Sequence, residues 1–336
     1  MGLNRFDLFM TIPISIVMPV FNAGKFLHKT VQAIEDQRQE SGWNLELIMI
    51  DDGSKDDTYA RVEELGKKYS YIKAIKLSRN FGHQAAVRTG LAFCKGEYVA
   101  ILDDDLQDPP SLLPGFFEYL DKGNDVAFGE RRKRKENLLK RVAYRSFYRL
   151  LRSMSSIEIP LDSGDFCVMK KRVVQHMLTL PERNPFLRGM RAWVGFKQVA
   201  VTYERQARID GVSAYTFAKL LQLGADGIFS FSKFPIRIIT FIGILGLGVA
   251  FFYSIFLLAL FVSVGVDVRG FSTLALLISF FGSLNLICLG VIGEYIARIY
   301  DETLDRPHTV IEKTMNFNDK KGREFLPVGA EAGPTG

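Results

Sequence analysis

A chain of 336 residues with 48% hydrophobic and 24% charged side chains and a mean hydropathy of +0.08 is too apolar for an ordinary soluble protein and too charged to lie wholly in a membrane. That composition predicts a soluble domain joined to a membrane anchor. A net charge of +6 and a pI of about 9.1 suit either nucleic acid or anionic lipid; the basic residues concentrate in one segment, a placement that favours lipid over nucleic acid.

Residues 14–20 read as a short apolar strand, which Pro19, Asn22 and Gly24 turn into a helix over 25–37. Residues 45–50 form the next strand, stopped by Asp51-Asp52-Gly53-Ser54, and Asp56-Asp57-Thr58 cap a helix running to about residue 69. A third strand follows over 72–77, a helix over 84–94, and a fourth strand over 98–102. This alternation predicts an α/β fold on a mostly parallel sheet with right-handed crossovers. No Gly-x-Gly-x-x-Gly follows the first strand and no Gly-Lys-Ser/Thr occurs, which disfavours a dinucleotide-binding fingerprint and a P-loop.

Further along, residues 138–154 place Leu139, Val142, Phe147 and Leu150 on one helical side and Arg141, Arg145, Arg149 and Arg152 on another. The pattern fits a helix lying in a membrane interface, with Arg145 and Arg149 on anionic head groups, or a surface helix packed on the core. Residues 216–232 read as a second interfacial segment. Two uncharged runs, 238–266 and 271–293, are each long enough to span a bilayer. Lys233, Arg237, Arg298 and Arg306 flank their outer ends and only Asp267-Val268-Arg269-Gly270 joins them, so both termini are expected on the cytoplasmic side. No leader pattern precedes the first strand, so the first 230 or so residues are expected to stay in the cytosol. Cys94, Cys167 and Cys288 lack metal or redox spacing and are expected to be buried thiols. Residues 308–312 suggest a last strand, followed by a polar tail. The chain thus divides into a cytosolic catalytic domain (1–212), juxtamembrane helices (213–235), two membrane helices (236–298) and a cytosolic strand and tail (299–336).

The chemistry concentrates in Ile101-Leu-Asp-Asp-Asp-Leu-Gln-Asp-Pro-Pro110. The preceding apolar run delivers three carboxylates to a strand end, where open α/β sheets bind ligands, and Pro109-Pro110 forces the chain out of the sheet. On an extended backbone Asp103 and Asp105 point to one side, with Gln107 two residues on. Such an all-oxygen set suits a hard divalent cation, Mg²⁺ or Mn²⁺, carrying a diphosphate.

Four stretches occur in order: Ser15-Ile-Val-Met-Pro-Val-Phe-Asn22, Asp51-Asp-Gly-Ser54, Ser78-Arg-Asn-Phe-Gly-His83 and Asp103-Asp-Asp-Leu-Gln-Asp-Pro-Pro110. With Gly164-Asp-Phe-Cys-Val-Met-Lys170, the basic loop at Arg131 and the two spans, the chain resembles the family 2 polyprenyl-phosphate glycosyltransferases over residues 14–315. The resemblance is to the bactoprenol glucosyltransferase type, related to dolichol-phosphate mannose synthase. It implies a GT-A fold, a nucleotide-sugar donor and a lipid-phosphate acceptor, most simply glucose passing with inversion from UDP-glucose to undecaprenyl phosphate. Self-association is left open.

Carried over residue by residue, the resemblance places Pro19, Phe21 and Asn22 near the nucleobase and Asp51 or Asp52 on the base or ribose. Asp51 to Ser54 also has the makings of a plain turn with a helix cap. Asp103 and Asp104 face the nucleotide, and Asp103, Asp105 and Gln107 match the metal-binding pattern. Arg79 either contacts the nucleotide or pairs with a nearby carboxylate. Asp165 lies beside the reacting centre as base or orienting group, with Asp105 and Arg131 also assigned to catalysis and Arg132 to the acceptor phosphate. The chain departs from the pattern at Ala214, where a basic residue is usual; either another cation such as Arg205 or Arg208 does that work, or the residue at 214 is an alteration. Two other readings remain. A processive polysaccharide synthase usually carries Gln-x-x-Arg-Trp and more spans, whereas this chain has Arg188-Gly-Met-Arg-Ala-Trp193. A membrane-tethered nucleotide-binding protein would keep the fold without turnover.

Overall fold

The computed structural model describes residues 13–131, 163–182, 185–203, 234–264, 270–304 and 306–317. The chain divides into two compact units, one of residues 1–145, 157–216 and 306–336, the other of residues 146–156 and 217–305.

Four apolar runs of the first unit give β1 (Ile14–Val20), β2 (Leu45–Asp51), β3 (Ile72–Leu77) and β4 (Tyr98–Ile101). They are joined by α1 (Leu27–Ser41), α2 (Thr58–Lys68) and α3 (His83–Phe93). With a helix in each connection, β1 pairs parallel with β2 and β4, and β2 with β3. The helix expected to stop near residue 37 runs on to Ser41, where Gly42 at φ 65° closes it.

A short 3-10 turn (Pro110–Leu112) and α4 (Leu113–Asp121) follow, then β5 (Val126–Arg131), β6 (Ser163–Lys170), α5 (Lys171–Leu178), α6 (Leu187–Trp193) and β7 (Gln198–Tyr203). The last strand, β8 (Ile311–Met315), returns from far along the chain, and the order across the sheet is β7-β5-β6-β4-β1-β2-β3-β8. β6 runs antiparallel to β4 and β5, and β8 antiparallel to β3. The parallel centre read from the sequence is therefore flanked by antiparallel strands that the strand–helix alternation does not announce.

Alternation along β1 sends Ile14, Ile16, Met18 and Val20 to the face covered by Leu27, Val31 and Ile34 of α1 and by Phe116 and Phe117 of α4. Val17, Ile48 and Ile50 face the other way, toward Ala86, Val87 and Leu91 of α3 and Val173 and Met177 of α5. Both faces are covered, so β1 is buried along its whole length. Each such side chain contributes about 1.5–3 kcal/mol on full burial.

This topology positions the site. From β1 the chain winds to β2 and β3 on one side, while β4 pairs with β1 on the other, so the connections diverge between β1 and β4. Ligands of open α/β sheets bind at the carboxyl ends of the strands beside such a divergence.

β8 begins at Ile311 rather than at residue 308 and completes the first unit's sheet. Lys76 Nζ meets Glu312 Oε1 at 2.8 Å, and Asn316 Nδ2 donates to the carbonyls of Gly66 and Ile72 at 2.9 and 2.8 Å.

The second unit contains α7 (Phe234–Val264) and α8 (Phe271–Thr303), of 31 and 33 residues. Within α8 the segment Phe280–Thr303, with a mean hydropathy of 1.6, is long and apolar enough to cross a membrane. It lies toward the carboxyl side of the uncharged run expected to span, and takes in Glu294 and Arg298, paired at 3.0 Å one helical turn apart. In α7 the segment Ile239–Tyr253 is likewise apolar. The helix expected over 138–154, with Arg145 and Arg149, and the segment 216–232 lie outside the described residues.

Candidate functional site

β4 ends at Ile101, and the Leu102 N–H still bonds to the Val17 carbonyl at 3.0 Å. The three carboxylates therefore start at the sheet's edge. They do not continue as an extended chain: Leu106 adopts φ 53°, and the Gln107 N–H donates to Asp105 Oδ1 at 3.1 Å. Asp103 to Gln107 thus form a turn, and the alternation that would set Asp103, Asp105 and Gln107 on one side does not apply. Thr30 Oγ1 donates to the Asp104 carbonyl at 2.7 Å, tying the turn to α1. Burial, reinforced by the charges of Asp103 and Asp105, pushes the Asp104 carboxyl up to about 7.

β6 supplies the facing wall. Its antiparallel register pairs Ile101 with Cys167, and Asp165 lies on β6 two residues beyond that last pair. His83, the first residue of α3, sits by both: Nε2 is 3.0 Å from Asp103 Oδ1, and Nδ1 is 3.9 Å from Asp165 Oδ2. Burial alone would lower its pKa, but the hydrogen bond to Asp103 and the charges of both carboxylates raise it to about 9.

Asp165 is held on both oxygens. Arg188 Nε donates to Oδ1 at 2.8 Å and Arg188 Nη2 to Oδ2 at 3.3 Å, while Gln84 Nε2 donates to Oδ2 at 3.1 Å. Gln84 Oε1 in turn accepts the Leu187 N–H at 3.0 Å, linking the start of α3 to the start of α6. Burial works against ionisation here, yet Arg188 foremost, then His83 and Arg191, hold the Asp165 carboxyl down at about 2.

The β2 end is equally ordered. Asp52 accepts the N–H groups of Phe81 and Gly82 at 2.7 and 2.9 Å, and Asp51 Oδ1 that of Ser54 at 3.1 Å. Burial raises the pKa of both carboxyls against these bonds. Asp52 is thereby committed to the loop after β3, whereas Asp51 Oδ2 has no hydrogen-bond partner among the described residues. Gly53, at φ 68°, packs against that loop so closely that a Cβ would lie 2.4 Å from the Arg79 carbonyl carbon. Asn22, at φ 51°, accepts the Lys55 N–H at 3.0 Å and donates its own N–H to Ser54 Oγ at 2.9 Å. Pro19 is buried in β1, and Phe21 stands 45% exposed at the rim.

The structure thus brings Asp103, Asp104, Asp105 and Asp165 to one edge, with Phe21, Asn22, Asp51 and Asp52 at neighbouring strand ends. Arg79 is exposed; its guanidinium lies 4.1 Å from the centroid of the Phe81 ring and donates to the Asn80 carbonyl at 3.2 Å. The ion pair considered for it with a carboxylate is absent among the described residues. Arg131 ends β5. Arg132, Arg205, Arg208 and Ala214 lie outside the described residues. His83, Gln84 and Arg188 are functional candidates that the sequence reading did not select. The signal for the first two was at hand in Arg79-Asn-Phe-Gly-His-Gln84, where glycine opens a helix beside an acidic strand end.

Among the described residues no three His, Cys, Asp or Glu side chains are gathered to hold a metal ion. The donors nonetheless fit a divalent cation: Asp103, Asp105 and the Gln107 carbonyl offer only hard oxygens, and Asp104 beside them is raised first by burial and then by their negative charge, which a cation would relieve.

Comparison with known proteins follows this geometry. Residues 15–178 match the model for glycosyl transferase family 2. The glycosyltransferase YkcC of Bacillus subtilis strain 168 is 40% identical over 92% of this chain and 96% of its own length. The SfII prophage-derived bactoprenol glucosyl transferase of Shigella flexneri is 35% identical over 91% of this chain and 99% of its own. The bactoprenol glucosyl transferase homologue of Escherichia coli K12 is 37% identical over 89% and 98%. Among solved structures, the glucosyl-3-phosphoglycerate synthase of Mycobacterium tuberculosis, in complex with Mn²⁺, UDP-glucose and phosphoglyceric acid, superposes with a TM-score of 0.46 at 18% identity, covering 68% of this chain and 82% of that one. With relatives that match it almost end to end and an acidic strand-end site within the matched segment, this chain belongs to glycosyl transferase family 2.

Proposed function

We propose that this glycosyltransferase moves glucose, with inversion, from UDP-glucose to a polyprenyl phosphate such as undecaprenyl phosphate at the cytoplasmic face of a membrane. The observation that carries this reading is the Asp103–His83–Asp165 apposition at the carboxyl edge of the sheet. It occurs in a chain whose relatives are named for glucose transfer to bactoprenol.

In this reading Phe21, Asn22 and Asp51 receive the base and ribose. The uncommitted Asp51 Oδ2 accepts a ribose O–H or the uracil N3–H, while Asp52 holds the loop after β3 in place. A divalent cation, Mg²⁺ or Mn²⁺, held by Asp103, Asp105 and Gln107, would supply Lewis-acid neutralisation of the leaving diphosphate. Before a cation binds, His83 is protonated at neutral pH and balances the charge of Asp103 from the protein side. The acceptor is a phosphate monoester with a second pKa near 6, already anionic at neutral pH, so it needs orientation more than deprotonation. Asp165 suits that division of labour: with Arg188 and Gln84 on its oxygens and its pKa near 2, it orients and does not take up a proton. Arg131, Arg132, Arg205 and Arg208 are the proposed cations for the acceptor phosphate.

The acceptor also explains the second unit. A polyprenol stays in the bilayer, so the enzyme must meet its head group there; α7 and α8 are proposed to span as a hairpin with both termini cytoplasmic. The test is transfer of radiolabel from UDP-glucose into organic-extractable lipid by membranes carrying the full chain, run beside a panel of other nucleotide sugars. Label reaching a long water-soluble polymer instead, or no transfer with any donor, overturns the reading.

A further inference from the structure

The acidic turn has a second anchor, at its far end. Asp108 is only 2% exposed, although it follows four residues that face the site, and its Oδ1 accepts the hydroxyl of Tyr203, itself 6% exposed. The Tyr203 ring packs edge-on against Phe166, with centroids 5.8 Å apart. It also fills the space left by Gly129, where a Cβ would lie 2.6 Å from Tyr203 Cε1. Tyr203 is the last residue of β7 and pairs in register with Arg131, the last residue of β5.

Burying a carboxylate is costly, and a buried apolar residue would fill this space without that cost. What the carboxyl group adds is direction: an acceptor fixed on a phenol whose ring packs against Phe166 and Gly129. The turn needs such a fix. It holds Leu106 in the left-handed region, which strains a residue with a Cβ, and sets three carboxyl groups in sequence. At its near end it is tied through Leu102 to β1, at its middle through Asp104 to α1, and at its far end Asp108 reaches across to β7.

We propose that Asp108 and Tyr203 are positioning residues that lock the Asp103–Gln107 turn to the paired ends of β5 and β7, so that the cation-holding oxygens and the Arg131 strand end are set as one piece. This rests on the reading that Asp103, Asp105 and Gln107 hold a divalent cation during glucose transfer.

The test uses the full-length protein in detergent, with Mn²⁺ binding followed by electron paramagnetic resonance of the free ion, and thermal unfolding and glucose transfer measured alongside. Tyr203→Phe keeps the ring packing and removes only the hydroxyl; it is expected to weaken Mn²⁺ binding about tenfold, as loss of one hydrogen bond to a charged group would. Asp108→Asn keeps a carbonyl acceptor for the phenol and is expected to stay within about threefold of wild type, whereas Asp108→Ala is expected to match Tyr203→Phe. Should Tyr203→Phe fail to fold, the gap between Asp108→Asn and Asp108→Ala answers the same question. Wild-type Mn²⁺ affinity in Tyr203→Phe, or in Asp108→Ala, with only the unfolding temperature lowered, makes the pair a stability element and overturns the proposal. If the wild-type protein itself binds no Mn²⁺, the cation reading falls first and takes this proposal with it, an outcome distinct from variants that bind as tightly as an active wild type.

Discussion

Arg188 grips Asp165 through two nitrogens, one on each carboxylate oxygen, and His83 stands between Asp165 and Asp103. Both partners are largely buried, so removing one leaves the other charge without compensation. Arg188→Ala is expected to cost about 3–5 kcal/mol of stability and most of the transfer activity. Arg188→Lys retains the charge without the two-pronged fit and should recover stability better than activity. Equal transfer rates in Arg188→Ala and wild type, at a temperature where both are folded, would falsify the role given to this pair.

The same pair sets a pH dependence with a definite sign. The Asp165 carboxyl lies near 2 in the folded protein against about 3.9 in an unfolded chain. Its contribution to stability is therefore fully present above about pH 4 and is lost as the pH falls toward 2. The stability gap between wild type and Asp165→Asn should be steady near pH 5, below the range in which His83 titrates, and narrow below 4, as denaturant unfolding at each pH would reveal. A gap that widens as the pH falls below 5 contradicts the assignment.

Asp105→Ala should lower transfer on the order of 100-fold or more while the protein stays folded, because this carboxylate sits on a surface turn and not in the core. Removal of divalent ions by chelation should have the same effect on wild type, reversed by adding Mn²⁺ or Mg²⁺. Undiminished activity after exhaustive chelation would sink the assignment of Asp103, Asp105 and Gln107.

Gly53→Ala tests how the loops after β2 and β3 hold each other. At φ 68° an alanine is strained, and its Cβ would press into the backbone of Arg79 and Asn80, which cannot swing aside as a side-chain tip would. A loss of more than about 1 kcal/mol is expected, with a higher KM for the nucleotide sugar, since Asp52 and the Phe81–Gly82 amides share that contact. An unchanged unfolding temperature and KM would mean the loop yields freely.

How far the sequence carried this reading depended on the range of the interactions. β1 to β4 and the acidic strand ends were legible because each rests on local alternation and a following turn. β6 was not, because its role depends on an antiparallel register with a strand more than sixty residues away, and a motif quoted as Gly164 to Lys170 does not reveal its pairing. His83, Gln84 and Arg188 were overlooked for the same reason: what makes them important is that three elements bring them to one carboxylate. The extended geometry expected for Asp103 and Asp105 failed at Leu106, a residue with no sequence bias toward the left-handed region.

β7 and β8 are the two outermost strands of the sheet, and both α7 and α8 lie between them in the chain. The chain leaves the sheet at one margin and re-enters at the other. During synthesis, every residue of both long helices must emerge before the strand that covers β3 exists, so the first unit's sheet is finished last. Until then the β3 margin is an open template for another strand. Ordering of the β3 margin is therefore coupled in time to completion of the helices, and a ribosome stalled within α8 would hold a nascent chain whose four central parallel strands are all present but whose sheet is not yet closed.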